Sequence, residues 1–245
     1  VQDVWVGHGR QAGSGPNPAR QVAQRAGVPH GTPAQTINKA CASSLQALAS
    51  GAQSIQLGES EVVLAGGIES MSRTPYLVDS IDARWGHKMG HFQFVDAMYR
   101  DGFQCPLSNL IMGETAELLA RQYGITREES DRFSLSSQQK TEAAQREGRF
   151  TDEIAPVTVT VTGAPVEVAS DEHPRPGTTI EALRRLPPTF PKVEGHAGII
   201  TAGSASGITD GGAALVLASG DYAAAHGLTP LATINSSSRT LSPCG

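Results

Sequence analysis

Gln35-Thr36-Ile37-Asn38-Lys39-Ala40-Cys41-Ala42-Ser43-Ser44-Leu45 is the stretch that decides the fold of this chain. Its first residues are β-prone. After Cys41 comes a small-residue, helix-prone run to about Leu57, closed by Gly58. The cysteine therefore sits where a strand turns into a helix, near the helix's first turn. Unpaired N–H groups and the positive end of the helix dipole collect there, and both favour a nucleophilic sulfur. Read alone, Cys41 has two readings: a nucleophile, or a small hydrophobe of the core.

Outward from this point the same alternation repeats. Val1–Gly9 reads as a buried strand ending in glycines, and Asn17-Pro18-Ala19-Arg20 opens a helix running to about Ala26. Ala34–Asn38 is the strand before Cys41, and Glu61–Ala65 is a third strand ending at Gly66-Gly67. Strand, helix, strand, helix, strand predicts a parallel sheet with crossover helices. The Cys41 helix is rich in Ala, Ser and Gly on most faces, which suits close packing on several sides.

From Arg73 to about Gly113 regular periodicity lapses, and aromatic and histidine residues gather. Glu114–Tyr123 reads as a helix closed by Gly124. Thr126-Arg127-Glu128-Glu129 is a capping box starting a helix to about Glu147. Val157, Val159 and Val161 alternate as in a strand, and Thr178 to Glu181 has the spacing of a second capping box. Ala213–Ala218 is an apolar strand, and Leu231–Ile234 reads as a further one. The predicted layout is a core of residues 1–71, a long inserted excursion over about 72–208 and a return to the core sheet at about 209–220.

Composition narrows the function. Of 245 residues, 24 are acidic and 19 basic, a net charge of −5 with no block of like charge, so nucleic acid has no electrostatic foothold. No apolar run approaches the about 20 residues of a membrane span. The three cysteines, Cys41, Cys105 and Cys244, show no metal-ligand spacing and suit a reducing compartment such as the cytoplasm. His87 and His91 have helical i, i+4 spacing, but Gly90 between them opposes a helix and no third ligand is evident. Ser137 and Lys140 fit a short Ser-x-x-Lys pattern inside a polar amphipathic helix, where it arises by chance.

Several segments, in order, carry a resemblance. They are Asn38-Lys39-Ala40-Cys41, Ala65-Gly66-Gly67-Ile68-Glu69-Ser70-Met71-Ser72, Lys88-Met89-Gly90, Met112-Gly113-Glu114-Thr115-Ala116-Glu117, Glu147–Ile154 and Thr201-Ala202-Gly203-Ser204-Ala205-Ser206-Gly207. Together they resemble the thiolase family, the acetyl-CoA acetyltransferases. The resemblance implies a thiolase-like βαβαβ layered α/β fold, with residues 1–71 and 209–230 as the core of one half, a large inserted loop domain over 72–208 and the start of the other half at 231–245. It also implies a truncated chain, lacking the first strand and helix of one half and nearly all of the second. That second half carries the family's Asn-Glu-Ala-Phe segment, its Gly-His-Pro histidine and its second cysteine. None of the seven histidines here has that context, so no base is assigned, and Cys244-Gly245 lacks the setting of the second cysteine.

The resemblance makes Cys41 the catalytic nucleophile of acyl-CoA C-acetyl transfer, either acetoacetyl-CoA formation or thiolysis of a 3-ketoacyl-CoA in fatty acid metabolism. The alternative is a catalytically incomplete thiolase-like subunit that binds acyl-CoA without turnover. Residue by residue, Ser206 and Phe190 match positions beside pantetheine, and Met112 matches the acyl pocket. Arg175 matches the nucleotide end of coenzyme A, and Ala202 matches a backbone contact. Arg175 also reads as a solvated loop charge and Phe190 as ordinary core. Ile111, Ser204 and Ala182 depart from the family pattern. Coenzyme A is expected as substrate, with no covalently bound cofactor and no metal. The expected partners are small-molecule acyl-CoAs and further copies of the chain, in a dimer or tetramer, with residues 84–100 resembling the tetramer-contact segment. A decarboxylating condensing enzyme of the same superfamily is disfavoured by the text at 112–117 and 201–207.

Overall fold

The computed structural model describes residues 1–78, 80–190, 192–193 and 195–235. Two compact units form: one from Val1–Gln104 with the chain from Ile208 onward, the other from Cys105–Gly207. The division falls at Gln104, whereas the sequence changes character near residue 72.

The first unit opens with β1 (Asp3–Gly7), α1 (Pro18–Arg25), β2 (Ala34–Ile37), α2 (Ser43–Gln56) and β3 (Val62–Ser70). The stretch that lacked periodicity holds three short elements, β4 (Tyr76–Val78), α3 (Ser80–Trp85) and β5 (Phe94–Asp96), then a π-helical turn at Tyr99–Phe103. The second unit contains α4 (Met112–Gln122), α5 (Arg127–Arg146), β6 (Val157–Val161), β7 (Ala164–Val168), α6 (Ile180–Arg184), β8 (Lys192–Val193) and β9 (His196–Ala197). The chain then returns to the first unit as β10 (Asp210–Ala218) and α7 (Gly220–Ala225).

The main sheet has the order β10-β3-β1-β2. β1 is parallel to both β2 and β3, and β10 runs antiparallel along the whole of β3. The chain steps from β1 to β2 on one side, then crosses back over β1 to β3. Right-handed crossovers in opposite directions place their helices on opposite faces. The packing agrees. Val4 and Val6 are buried against Ala19 and Ala23 of α1, with Leu64 and Ile68 beside them. The alternate residues Val63 and Ala65 are also fully buried, and Gly51 of α2 meets Val63. This is the α/β core that the alternation of strands and helices predicts.

Local chemistry explains the element ends. Asn17 caps α1 by accepting the Arg20 N–H at 3.2 Å, and Pro18 occupies the first helical position, where its missing N–H costs nothing. Thr126 and Glu129 make the reciprocal capping box expected of α5.

Four expectations are corrected. β3 does not stop at Gly66-Gly67 but runs through them to Ser70, because β10 pairs along that length. Residues 231–235 form no strand, and Leu231 is fully exposed. The cap of α6 is Thr179, which accepts the Ala182 N–H, while the Thr178 hydroxyl turns back to the Arg175 carbonyl. α2 is not packed on several sides: Ser43, Ala47, Gly51 and Ser54 are buried as one stripe, whereas Leu45 on another face, and Leu57 at the helix's end, stay exposed.

Candidate active site

Ligands of open α/β sheets gather at the carboxyl ends of parallel strands. Here those ends are Gly7 of β1, Ile37 of β2 and Ser70 of β3. Cys41 lies at this edge, on the turn from β2 into α2. It is a free, exposed thiol, so the core-hydrophobe reading does not hold. α2 begins at Ser43, after an Ala42 cap that makes no side-chain hydrogen bond. The thiol therefore stands just before an uncapped helix amino end, as the sequence places it.

The turn is sharp. Ala40 adopts φ +48, a left-handed conformation that costs a residue with a Cβ about 1–2 kcal/mol. Local bonds hold it there. The Asn38 side-chain oxygen accepts the Ala40 N–H at 3.1 Å. The Ser43 hydroxyl donates to the Ala40 carbonyl at 2.6 Å and accepts the Lys39 N–H at 2.9 Å.

Two glycines let α2 come this close. Gly7 and Gly67 stand opposite each other on β1 and β3. A Cβ on Gly7 would sit 2.4 Å from the Ser43–Ser44 backbone, and one on Gly67 would sit 1.9 Å from the Ser44 hydroxyl oxygen. Only bare backbone fits beneath the first turn of α2.

A further group at this edge escaped the sequence reading. Glu69 accepts the Gly9 N–H at 3.2 Å and the Arg10 N–H at 3.1 Å. His8, which is 5% exposed, brings Nε2 to 3.1 Å from the same carboxylate. The Asn38 amide donates to the Gly9 carbonyl at 3.0 Å. The available signal was an acidic residue two places after the Gly66-Gly67 pair, in a strand otherwise small and apolar.

The second unit holds Met112, Arg175, Phe190, Ala202 and Ser206. The Phe190 ring lies on Gly113, the residue after Met112, where a Cβ would come within 2.0 Å of the ring. Thr189 donates to the Ile200 carbonyl at 2.7 Å, and Thr201 bridges Pro188, so the segment bearing Ala202 runs beside that bearing Phe190. The His173 ring covers Gly207, next to Ser206, and brings the loop of Arg175 to that residue. Arg175 is exposed, its N–H bound to Gln138 and its guanidinium to the Glu172 carbonyl. Ser206, Ala202 and Met112 are also exposed, and Phe190 is half-buried.

The helical histidine pair does not form. α3 ends at Trp85, and the His87 ring instead lies tilted against that of Phe92, with centroids 4.2 Å apart. Among the described residues no group of three His, Cys, Asp or Glu is placed to hold a metal. No helix among them is long and apolar enough to cross a membrane.

The first unit is thus an α/β sheet with an exposed cysteine on a strained strand-to-helix turn at its carboxyl edge. Residues 1–221 match the thiolase N-terminal domain. An acetyl-CoA acetyltransferase of Pseudomonas aeruginosa is 50% identical over 237 residues, covering 96% of this chain and 59% of that protein. One from Escherichia coli is 46% identical over 236 residues, with the same two shares. The crystal structure of human mitochondrial 3-ketoacyl-CoA thiolase superposes with a TM-score of 0.86 at 41% identity, covering 94% of this chain and 57% of that one. Acetyl-CoA acetyltransferase from Bacillus anthracis gives 0.86 at 42%, with the same coverage. The chain belongs to the thiolase family. It spans about 59% of the length of these curated relatives.

Proposed function

We propose that this chain carries the nucleophile of a thiolase-type acyl-CoA C-acetyltransferase, with Cys41 as the acyl acceptor. The observation behind this is the exposed Cys41 thiol on its strained turn, before an uncapped helix end. The Cys41 thiolate attacks the C3 carbonyl of a 3-ketoacyl-CoA. The C2–C3 bond breaks, acetyl-CoA leaves as an enolate and takes up a proton, and an acyl-cysteine remains. Coenzyme A thiolate then attacks that thioester, forms the shortened acyl-CoA and restores Cys41. Run backwards, two acetyl-CoA give acetoacetyl-CoA. Splitting one hard step into two thioester exchanges is the gain from covalent catalysis. The Cys41 backbone N–H is the proposed donor to one developing oxyanion.

Met112, Phe190, Ala202 and Ser206 are proposed to line the pantetheine arm, and Arg175 to meet phosphate at the nucleotide end. An exposed guanidinium offers phosphate a planar fork of donors. The setting we propose is a cytoplasmic homo-oligomer acting in fatty acid metabolism. Trp85, Met89 and Phe94, 82%, 89% and 72% exposed, make residues 84–100 a surface suited to contact between copies.

The second reading is an acyl-CoA-binding subunit without turnover, consistent with a chain that spans about 59% of the length of the curated relatives it matches. Consumption of acetoacetyl-CoA in the presence of coenzyme A separates the two. The enzymatic reading expects turnover that Cys41→Ser abolishes. Binding of acetyl-CoA without turnover, weakened by Arg175→Ala, establishes the second. No binding at all contradicts both.

A further inference from the structure

We propose that Glu69 is a positioning residue for Cys41, acting through Asn38; the inference rests on the reading of Cys41 as acyl acceptor. Its carboxylate accepts the Gly9 N–H and the Arg10 N–H from one short segment, and His8 Nε2 stands 3.1 Å from it. A carboxylate only accepts, so it fixes the direction of both peptide groups. The Gly9 carbonyl is thereby aimed at Asn38, whose amide donates to it at 3.0 Å. The other end of the same Asn38 amide accepts the Ala40 N–H at 3.1 Å. Ala40 is the residue held at φ +48 immediately before the nucleophile.

Every link from Glu69 to the Cys41 turn is thus a hydrogen bond between named groups of one unit. The packing is equally tight. A Cβ on Gly9 would lie 3.0 Å from a Glu69 oxygen and 3.6 Å from the Ala40 carbonyl oxygen. Glu69 is separated from Gly9 by 60 residues in sequence, so the clamp ties the ends of β1 and β3 to the loop after β2. A left-handed alanine persists only where its surroundings over-determine it. Acyl transfer needs the sulfur aimed at a carbonyl carbon, and small misplacements cost large rate factors.

The test separates aim from mere presence of the thiol. S-acetyl-N-acetylcysteamine measures acyl transfer to Cys41 by intact mass, and iodoacetamide measures alkylation of the same sulfur. Glu69→Ala is expected to slow acyl transfer at least about tenfold. Alkylation of Cys41 should stay within about threefold, because a small alkylating agent makes little demand on orientation. Adding Glu69→Ala to Asn38→Ala should cost nothing further, since both act through one path. Additive effects, equal loss of both reactions, or unchanged acyl transfer would overturn the proposal. Should Glu69→Ala fail to fold, Glu69→Gln, which keeps one accepting oxygen, is expected to give a smaller loss in the same split. A wild-type chain that alkylates at Cys41 yet accepts no acyl group contradicts the acyl-acceptor reading itself and this inference with it.

Discussion

Gly7, Gly67 and Ala40 decide where the Cys41 thiol stands. At Gly7 a methyl group would collide with the Ser43–Ser44 backbone, and no side-chain rotation relieves that. Gly7→Ala should therefore destabilise the chain by about 1–3 kcal/mol, the usual cost of overpacking. Urea unfolding measures it, and an unchanged midpoint would contradict the packing of α2 on β1. Cys105 offers a second residue-scale check. Its hydrogen bond with the Ser108 side chain, then backbone bonds with Ser108 and Leu107, hold the thiol below its usual range. At about pH 7.5, Ser108→Ala should slow alkylation of Cys105 and leave that of Cys41 unchanged. Equal rates for Cys105 in both chains would refute the role of Ser108.

Among the elements, β10 is fastened to the end of β3 by one acidic residue. The Ser72 hydroxyl and N–H both donate to Asp210, and these bonds hold its carboxyl below the usual carboxylate range. A carboxyl depressed on folding stabilises above its unfolded value, and that contribution is lost as pH falls through the folded value. Acidification from about pH 5 to about pH 3 should then lower the melting temperature less in Ser72→Ala than in the parent chain. Equal losses would show that the pair contributes nothing. The elements also show what the sequence could reveal. Asn17-Pro18, Thr126 to Glu129 and the glycines Gly58 and Gly124 act over three or four residues, so their effect is local and readable. The run of β3 through Gly66-Gly67 was hidden, because its cause is pairing with a strand about 150 residues away. Cys41 was readable from the strand and helix on either side of it. Glu69 was not, because its three partners lie 59 to 61 residues earlier in the chain.

For the whole molecule, the decisive feature is how much apolar surface stays in water. Leu45 on α2, Leu57 just after it, and Leu215 and Val216 on β10 are all more than half exposed. So is much of the aromatic segment from Trp85 to Phe94. Surfaces of this kind associate. Purified chain should sediment as an associated species, and lysine at both Leu45 and Val216 should shift it toward monomer. A compact monomer at micromolar concentration would contradict this. The central claim is that the Cys41 sulfur accepts an acyl group, and intact-mass analysis after incubation with acetoacetyl-CoA tests it most directly. One acetyl group mapped to the Cys41 peptide, and none in Cys41→Ser, is the required result. No adduct on folded chain, or an adduct that persists in Cys41→Ser, would contradict it.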